Sequence, residues 1–229
     1  RLNIKAAEGF VACGAPVGSP SYVQTELAKK TDQIVSHVGR VRTAISAGPK
    51  EGIGSLTKDW FKLLRYCLSP AMYNYIIRTT PTDEVSVHAD KYDNAVREVF
   101  YTILDPETTP ETLADLSTHP LLRGVLHLKA TNGGIGVTSA ARVSEGARIG
   151  NLALTSNIVG NILGIADPED QRKAVPELYT YLANLPSYAD VIDSLNKPLS
   201  AFFDSPFKNI SAVIGRARQD SELKHVLSL

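Results

Sequence analysis

The sequence predicts a mostly α chain: a multi-helix bundle with a short β segment near its N-terminus and a Gly-rich turn at its centre. Three observations predict it. Apolar residues recur at spacings of three and four over most of the chain, the period of a half-buried helix. Hydroxyl-proline pairs such as Ser19-Pro20 and Ser69-Pro70 supply a cap followed by a proline at the first helical position. Only Gly9-Phe10-Val11-Ala12-Cys13 reads as a strand, and three glycines crowd into Gly133-Gly134-Ile135-Gly136.

Taken in order, the strand Gly9–Cys13 ends in the turn-rich Gly14-Ala15-Pro16-Val17-Gly18. Ser19-Pro20 then starts a long helix to about residue 46, with Val23, Leu27, Ile34, Val38, Val41 and Ile45 as its apolar stripe. Gly48-Pro49 and Gly52-Ile53-Gly54 break it. Ser55 caps a second helix striped by Leu56, Trp60, Leu63, Leu64 and Cys67. Ser69-Pro70 opens a third through Met72, Tyr73, Tyr75, Ile76 and Ile77. Thr82 or Asp83 opens a fourth, carrying Val85, Ala89, Tyr92, Val96, Val99, Phe100 and Ile103, and Thr109-Pro110-Glu111 a short one. An apolar stretch, Leu121 to Leu128, precedes the glycine turn. After Thr138-Ser139 the helical pattern resumes through Val143, Ala147, Ile149, Leu152, Leu154, Ile158, Val159 and Ile162. Further helices are expected at about 168–184, 187–203 and 210–227. The organisation expected is a strand and turn over 1–18, a helical region over 19–130 and a C-terminal helical region over 131–229, packed as one unit.

Composition bounds the function. The chain has 229 residues, and 24 Lys+Arg balance 24 Asp+Glu. No apolar run is long enough to span a membrane, so a soluble, intracellular protein is expected, nuclear or cytoplasmic. Two cysteines, Cys13 and Cys67, make neither a disulfide framework nor a four-cysteine zinc site, and both are expected to be small buried residues. Arg1 opens the chain and Met72 is its only methionine, so a piece of a longer polypeptide is expected.

The zero balance excludes a uniformly basic surface but hides bands. Residues 40–78 carry Arg40, Arg42, Lys50, Lys58, Lys62, Arg65 and Arg78 against Glu51 and Asp59, net +5. Residues 83–115 are net −7, with nine acids against Lys91 and Arg97, and 116–148 return to +3. A basic band reads either as a solvated helix face or as a surface that meets phosphate.

Catalytic sets are missing. Asn132-Gly133-Gly134-Ile135-Gly136 is followed by no Gly-Lys-Ser/Thr and framed by no dinucleotide-binding unit, so it reads as a packing turn. No serine sits in a nucleophile elbow. His88, Asp90 and Asp93 suggest a metal-dependent hydrolase only weakly, since carboxylate spacing alone discriminates poorly; Asp90 and Asp93 read instead as surface charge. The richest stretch is Trp60 to Pro81, where aromatic residues interleave with Lys62, Arg65 and Arg78. Rings that stack and cations that meet phosphate suit a nucleic-acid strand, although the apolar positions there must also build core.

Four segments carry a resemblance. Val11-Ala12-Cys13-Gly14-Ala15-Pro16-Val17-Gly18-Ser19 comes first. Leu63-Leu64-Arg65-Tyr66-Cys67-Leu68-Ser69-Pro70 with Asn74-Tyr75 and Arg78-Thr79-Thr80-Pro81 follows, then Tyr92-Asp93-x3-Arg97, then Gly133-Gly134-Ile135-Gly136-Val137-x-Ser139-Ala140. In that order, over about residues 8–160, they resemble the region downstream of the polymerase palm in reverse-transcriptase reading frames of non-LTR retroelement type. The resemblance implies a thumb-like helical region over 19–130 that grips a primer–template backbone. It places the palm, with its metal-binding aspartates, outside this chain. No Asp-Asp dipeptide occurs here, so no catalytic residue, no metal ligand and no cofactor is expected in it; Mg belongs only to the missing palm. Ala71 stands where many relatives carry Arg, which removes one implied phosphate contact. The expected partner is an RNA or RNA–DNA duplex, or a larger parent polypeptide, and the expected contacts are Arg40, Arg42, Lys58, Lys62, Arg65 and Arg78. The alternative is a domesticated scaffold without enzymatic or nucleic-acid activity, binding a protein partner through the C-terminal helices.

Overall fold

The computed structural model describes residues 8–48, 53–68, 73–107, 109, 119–165, 170, 223–224 and 226–228. Over these the chain is mostly helical, with one two-stranded antiparallel sheet near the N-terminus, as the periodicity predicts.

Strands β1 (Gly9–Ala12) and β2 (Ala15–Gly18) form a hairpin in the register Gly9↔Gly18, Phe10↔Val17, Val11↔Pro16 and Ala12↔Ala15. The sequence predicts turn over Ala15–Gly18. It becomes a strand because Cys13 and Gly14 both take positive φ, 48° and 88°, and so close a two-residue loop of the type whose twist matches a hairpin. Ala12↔Ala15 closes that loop, which puts Val11↔Pro16 at a pair without ladder hydrogen bonds. The missing proline N–H is therefore not needed there.

Helix α1 (Pro20–Ser46) starts where the cap predicts: the Ser19 side chain accepts from the Tyr22 amide at 3.4 Å and Pro20 occupies the first turn. Helix α2 (Ile53–Leu63) continues into a π turn, Leu64–Leu68, in which Leu64 and Leu68 are buried and Arg65, Tyr66 and Cys67 all face out. Helix α3 is described from Asn74 to Thr79, while its predicted start at Ser69-Pro70 lies outside the described residues. Helix α4 (Thr82–Leu104) carries Asp83 and Glu84 in its first turn, the charge sign that complements a helix N-terminus.

The stretch read only as apolar is helix α5 (Pro120–His127), opened by its proline and buried at Leu126. A short 3-10 turn, Ala130–Asn132, leads into the glycine loop, and helix α6 (Ala140–Ile162) follows. The short helix expected to start at Thr109-Pro110-Glu111 and those expected at 168–184 and 187–203 lie, but for residues 109 and 170, outside the described residues, as does most of 210–227. Val226 sits against Gly124 of α5 so closely that a Cβ there would meet its methyl at 2.3 Å.

The core lies where α1 packs along α4 and α6 packs on α3 and α4. Leu27, Val38, Leu64, Tyr73, Ile77, Val85, Tyr92, Val99 and Leu126 fill it, with Trp60, Ile34 and Val41 packed at its margin. Among the polar residues inside is Thr31, which the stripe did not predict and whose hydroxyl shares a 2.8 Å hydrogen bond with the Tyr73 hydroxyl. Tyr73 in turn stacks on Tyr92 at 5.1 Å between ring centroids, and the Tyr92 hydroxyl donates to the Leu68 carbonyl.

Candidate nucleic-acid interface

The basic residues separate into groups once the helices are in place. Lys58, Lys62 and Arg65 stand at i, i+4 and i+7, so one face of α2 and its π turn carries all three, and each is exposed. Lys62 pairs with Asp59 at 3.0 Å, an exposed pair, and Lys58 and Arg65 have no ion pair among the described residues. The Arg65 guanidinium lies 5.4 Å from the centroid of the Tyr66 ring, which is 67% exposed.

Arg40 and Arg42, two residues apart, point to different sides of α1. Arg42 is turned to Glu98 of α4, with Nη1 2.8 Å from Oε2. Arg78 is exposed near the end of α3, and its backbone carbonyl, with that of Thr79, accepts from the Arg148 guanidinium of α6 at 3.4 and 2.9 Å. The structure thus brings Lys58, Lys62 and Arg65 together and diverts Arg42. Arg40 and Arg78 sit on other helices.

The glycine loop meets the basic face. Gly136 has φ +76°, and a Cβ built there would lie 3.4 Å from both Nε and Cζ of Arg65. The guanidinium thus lies beside the loop, at ordinary van der Waals distance from where a Cβ would stand. Gly134 is placed still closer, where a Cβ would meet the Leu128 carbonyl oxygen at 2.2 Å.

Asp93 is not the surface charge its spacing suggested. It is 6% exposed and caps α6 from α4: Ser139 Oγ donates to one oxygen at 2.5 Å, the Ala140 amide to the other at 2.8 Å, and the Ala141 amide to the first at 3.0 Å. The Ser139 hydroxyl oxygen also accepts from the Arg142 amide at 3.1 Å. Burial pushes the Asp93 carboxyl above its ordinary value, against the pull of Ser139, the two amides and Arg97 one turn on. With its oxygens taken by these donors, Asp93 serves as a helix staple rather than a ligand beside His88. That histidine makes a 2.9 Å hydrogen bond with Gln24, and burial, then Lys91, lower its pKa while Asp32 raises it. Among the described residues no group of three or more His, Cys, Asp or Glu side chains is placed to hold a metal ion.

Both cysteines are exposed, contrary to expectation. Cys13 is at the tip of the hairpin, and Cys67 is swung outward by the π turn that buries Leu64 and Leu68 on either side of it. The hairpin tip is itself anchored: the Tyr75 hydroxyl donates to the Cys13 carbonyl and the Lys30 ammonium to the Gly14 carbonyl. No helix among the described residues is long and apolar enough to cross a membrane. No protein-family profile, no curated protein and no solved structure matches this chain.

Proposed function

We propose that the chain is a non-catalytic helical module of a reverse-transcriptase-like protein that grips nucleic acid through Lys58, Lys62 and Arg65. The observation that carries the grip is this one exposed helix face, on which three cations stand in register and, among the described residues, Asp59 alone forms an ion pair with one of them. Such a face neutralises successive phosphates without reading sequence. Arg40 and Arg78 are the next candidates, and Arg42 is committed to Glu98.

The family part of the proposal is supported by how the resembling segments meet. Tyr75 of the second segment holds Cys13 of the first. Arg65 of the second lies against Gly136 of the fourth. Asp93 of the third caps the helix that the fourth begins. The residues that carry the resemblance are therefore contact residues between elements, which gives their order and spacing a physical reason.

Fluorescence anisotropy with a labelled RNA–DNA primer–template tests the grip. The full chain should bind at micromolar concentration, and the triple variant Lys58→Ala, Lys62→Ala, Arg65→Ala should bind at least about tenfold more weakly, since its three phosphate contacts are lost. Equal binding by the triple variant would contradict the assignment.

A second reading, a protein-interaction scaffold, is favoured by one observation. Leu154, Ile158 and Ile162 form an i, i+4, i+8 row on α6 that is 54%, 59% and 78% exposed, within a stretch from Ile149 to Ile165 that holds no charged residue. Sedimentation velocity separates the readings. Concentration-dependent self-association that Ile158→Glu abolishes would favour the scaffold.

A further inference from the structure

Phosphate neutralisation needs cations, yet beside the cations of the basic face stands an exposed aromatic ring. The other tyrosines of the core, Tyr73, Tyr92 and Tyr101, are buried. Tyr75 is half exposed, but its hydroxyl is engaged by the hairpin carbonyl. Tyr66 is 67% exposed, and the Arg65 guanidinium lies 5.4 Å from its ring centroid.

The local backbone holds it there. In the π turn Leu64 and Leu68 are both anchored in the core, so the three residues between them project together from the widened turn. Arg65 is in addition seated against Gly136. The ring and the guanidinium beside it thus stand exposed at the end of a row of cations. From Lys58 to Arg65 that row runs about 10 Å along the helix axis.

We infer that Tyr66 is a stacking platform for an unpaired base, and that this face takes a single-stranded segment of nucleic acid in preference to a blunt duplex. The inference rests on the nucleic-acid reading above and names its substrate class. In a duplex the base faces are covered by their neighbours, and only phosphates reach a protein surface of this kind. A single strand offers both, with bases to stack on Tyr66 and phosphates for Arg65, Lys62 and Lys58. Base–aromatic stacking is tolerant of sequence, because every base has a π face. The guanidinium beside the ring adds a second planar group on which a base can lie.

The test is anisotropy with a fluorescein-labelled 12-nucleotide single-stranded RNA and a blunt duplex of the same sequence, using the full chain. The wild type should bind the single strand at least about fivefold more tightly than the duplex. Tyr66→Ala should weaken single-strand binding by about fivefold or more and leave duplex binding within about twofold. Tyr66→Phe should retain the preference, because the ring face and not the hydroxyl does the work. If Tyr66→Ala leaves the single strand bound as before while the Lys58, Lys62, Arg65 triple alanine variant loses it, the stacking inference is overturned and the phosphate grip stands. If the triple variant also binds unchanged, the grip itself is overturned.

Discussion

Asp93 shows how a single residue decides the packing of two helices. Its carboxylate takes the orphan amides at the start of α6 from a position on α4, so Asp93→Ala leaves buried N–H groups without an acceptor. The expected loss is about 3 kcal/mol in urea denaturation. The pH dependence carries a sign. The folded pKa is raised above the reference value of 3.8. Asp93 therefore contributes stability that is present below that value and lost as pH rises through the folded pKa. Measured from pH 3.5 upward, the stability of the wild type relative to Asp93→Asn should fall. A relative gain would mean that the caps outweigh burial. Thr31 and Tyr73 offer a cleaner pair: each of Thr31→Val and Tyr73→Phe should cost about 1 kcal/mol, and the double variant less than the sum. Neither Asp93 nor Thr31 was legible as buried. Periodicity assigns polar residues outward, and only the partner across the fold, Ser139 or Tyr73, reverses that.

At the scale of elements the sequence was read best where local chemistry decides. Ser19-Pro20 marks the start of α1 to the residue, and Ser139 that of α6, because caps act within one turn. The hairpin was half read: Gly9–Ala12 shows its β residues, whereas β2 depends on Cys13 taking a positive φ that its side chain does not announce. The π turn is not legible in the sequence: Leu64 and Leu68, four apart, fit the face of an ordinary α-helix equally well. The loop between α5 and α6 follows from its glycines. Gly136→Ala should cost about 1–2 kcal/mol for its left-handed backbone. Gly134→Ala should cost more, since its Cβ would collide with the Leu128 carbonyl. Thermal denaturation of the two variants checks that order.

Across the whole molecule the neutral total resolves into structure. The acidic band lies largely on α4, where Asp83 and Glu84 serve the helix N-terminus, Asp93 caps α6 and Glu98 answers Arg42. Those four acids have roles within the fold. The basic bands meet each other at two points, Arg65 against Gly136 and Arg148 on the Arg78 carbonyl. Of the six candidate contacts named from the sequence, three share a face. Membership of that face required knowing which side of α2 is buried. Arg42→Ala should accordingly change nucleic-acid affinity by no more than about twofold and stability by less than about 1 kcal/mol, as for an exposed pair.

If an exposed row of cations on a neutral protein neutralises phosphate, binding must depend on salt. Binding of the full chain to single-stranded RNA should weaken with salt along a log–log slope of about −2, that is, about 0.7 for each of three contacts. Each of Lys58→Ala, Lys62→Ala and Arg65→Ala should flatten the slope by about 0.7. No binding at micromolar concentration, or a slope near zero that the variants do not change, would contradict it.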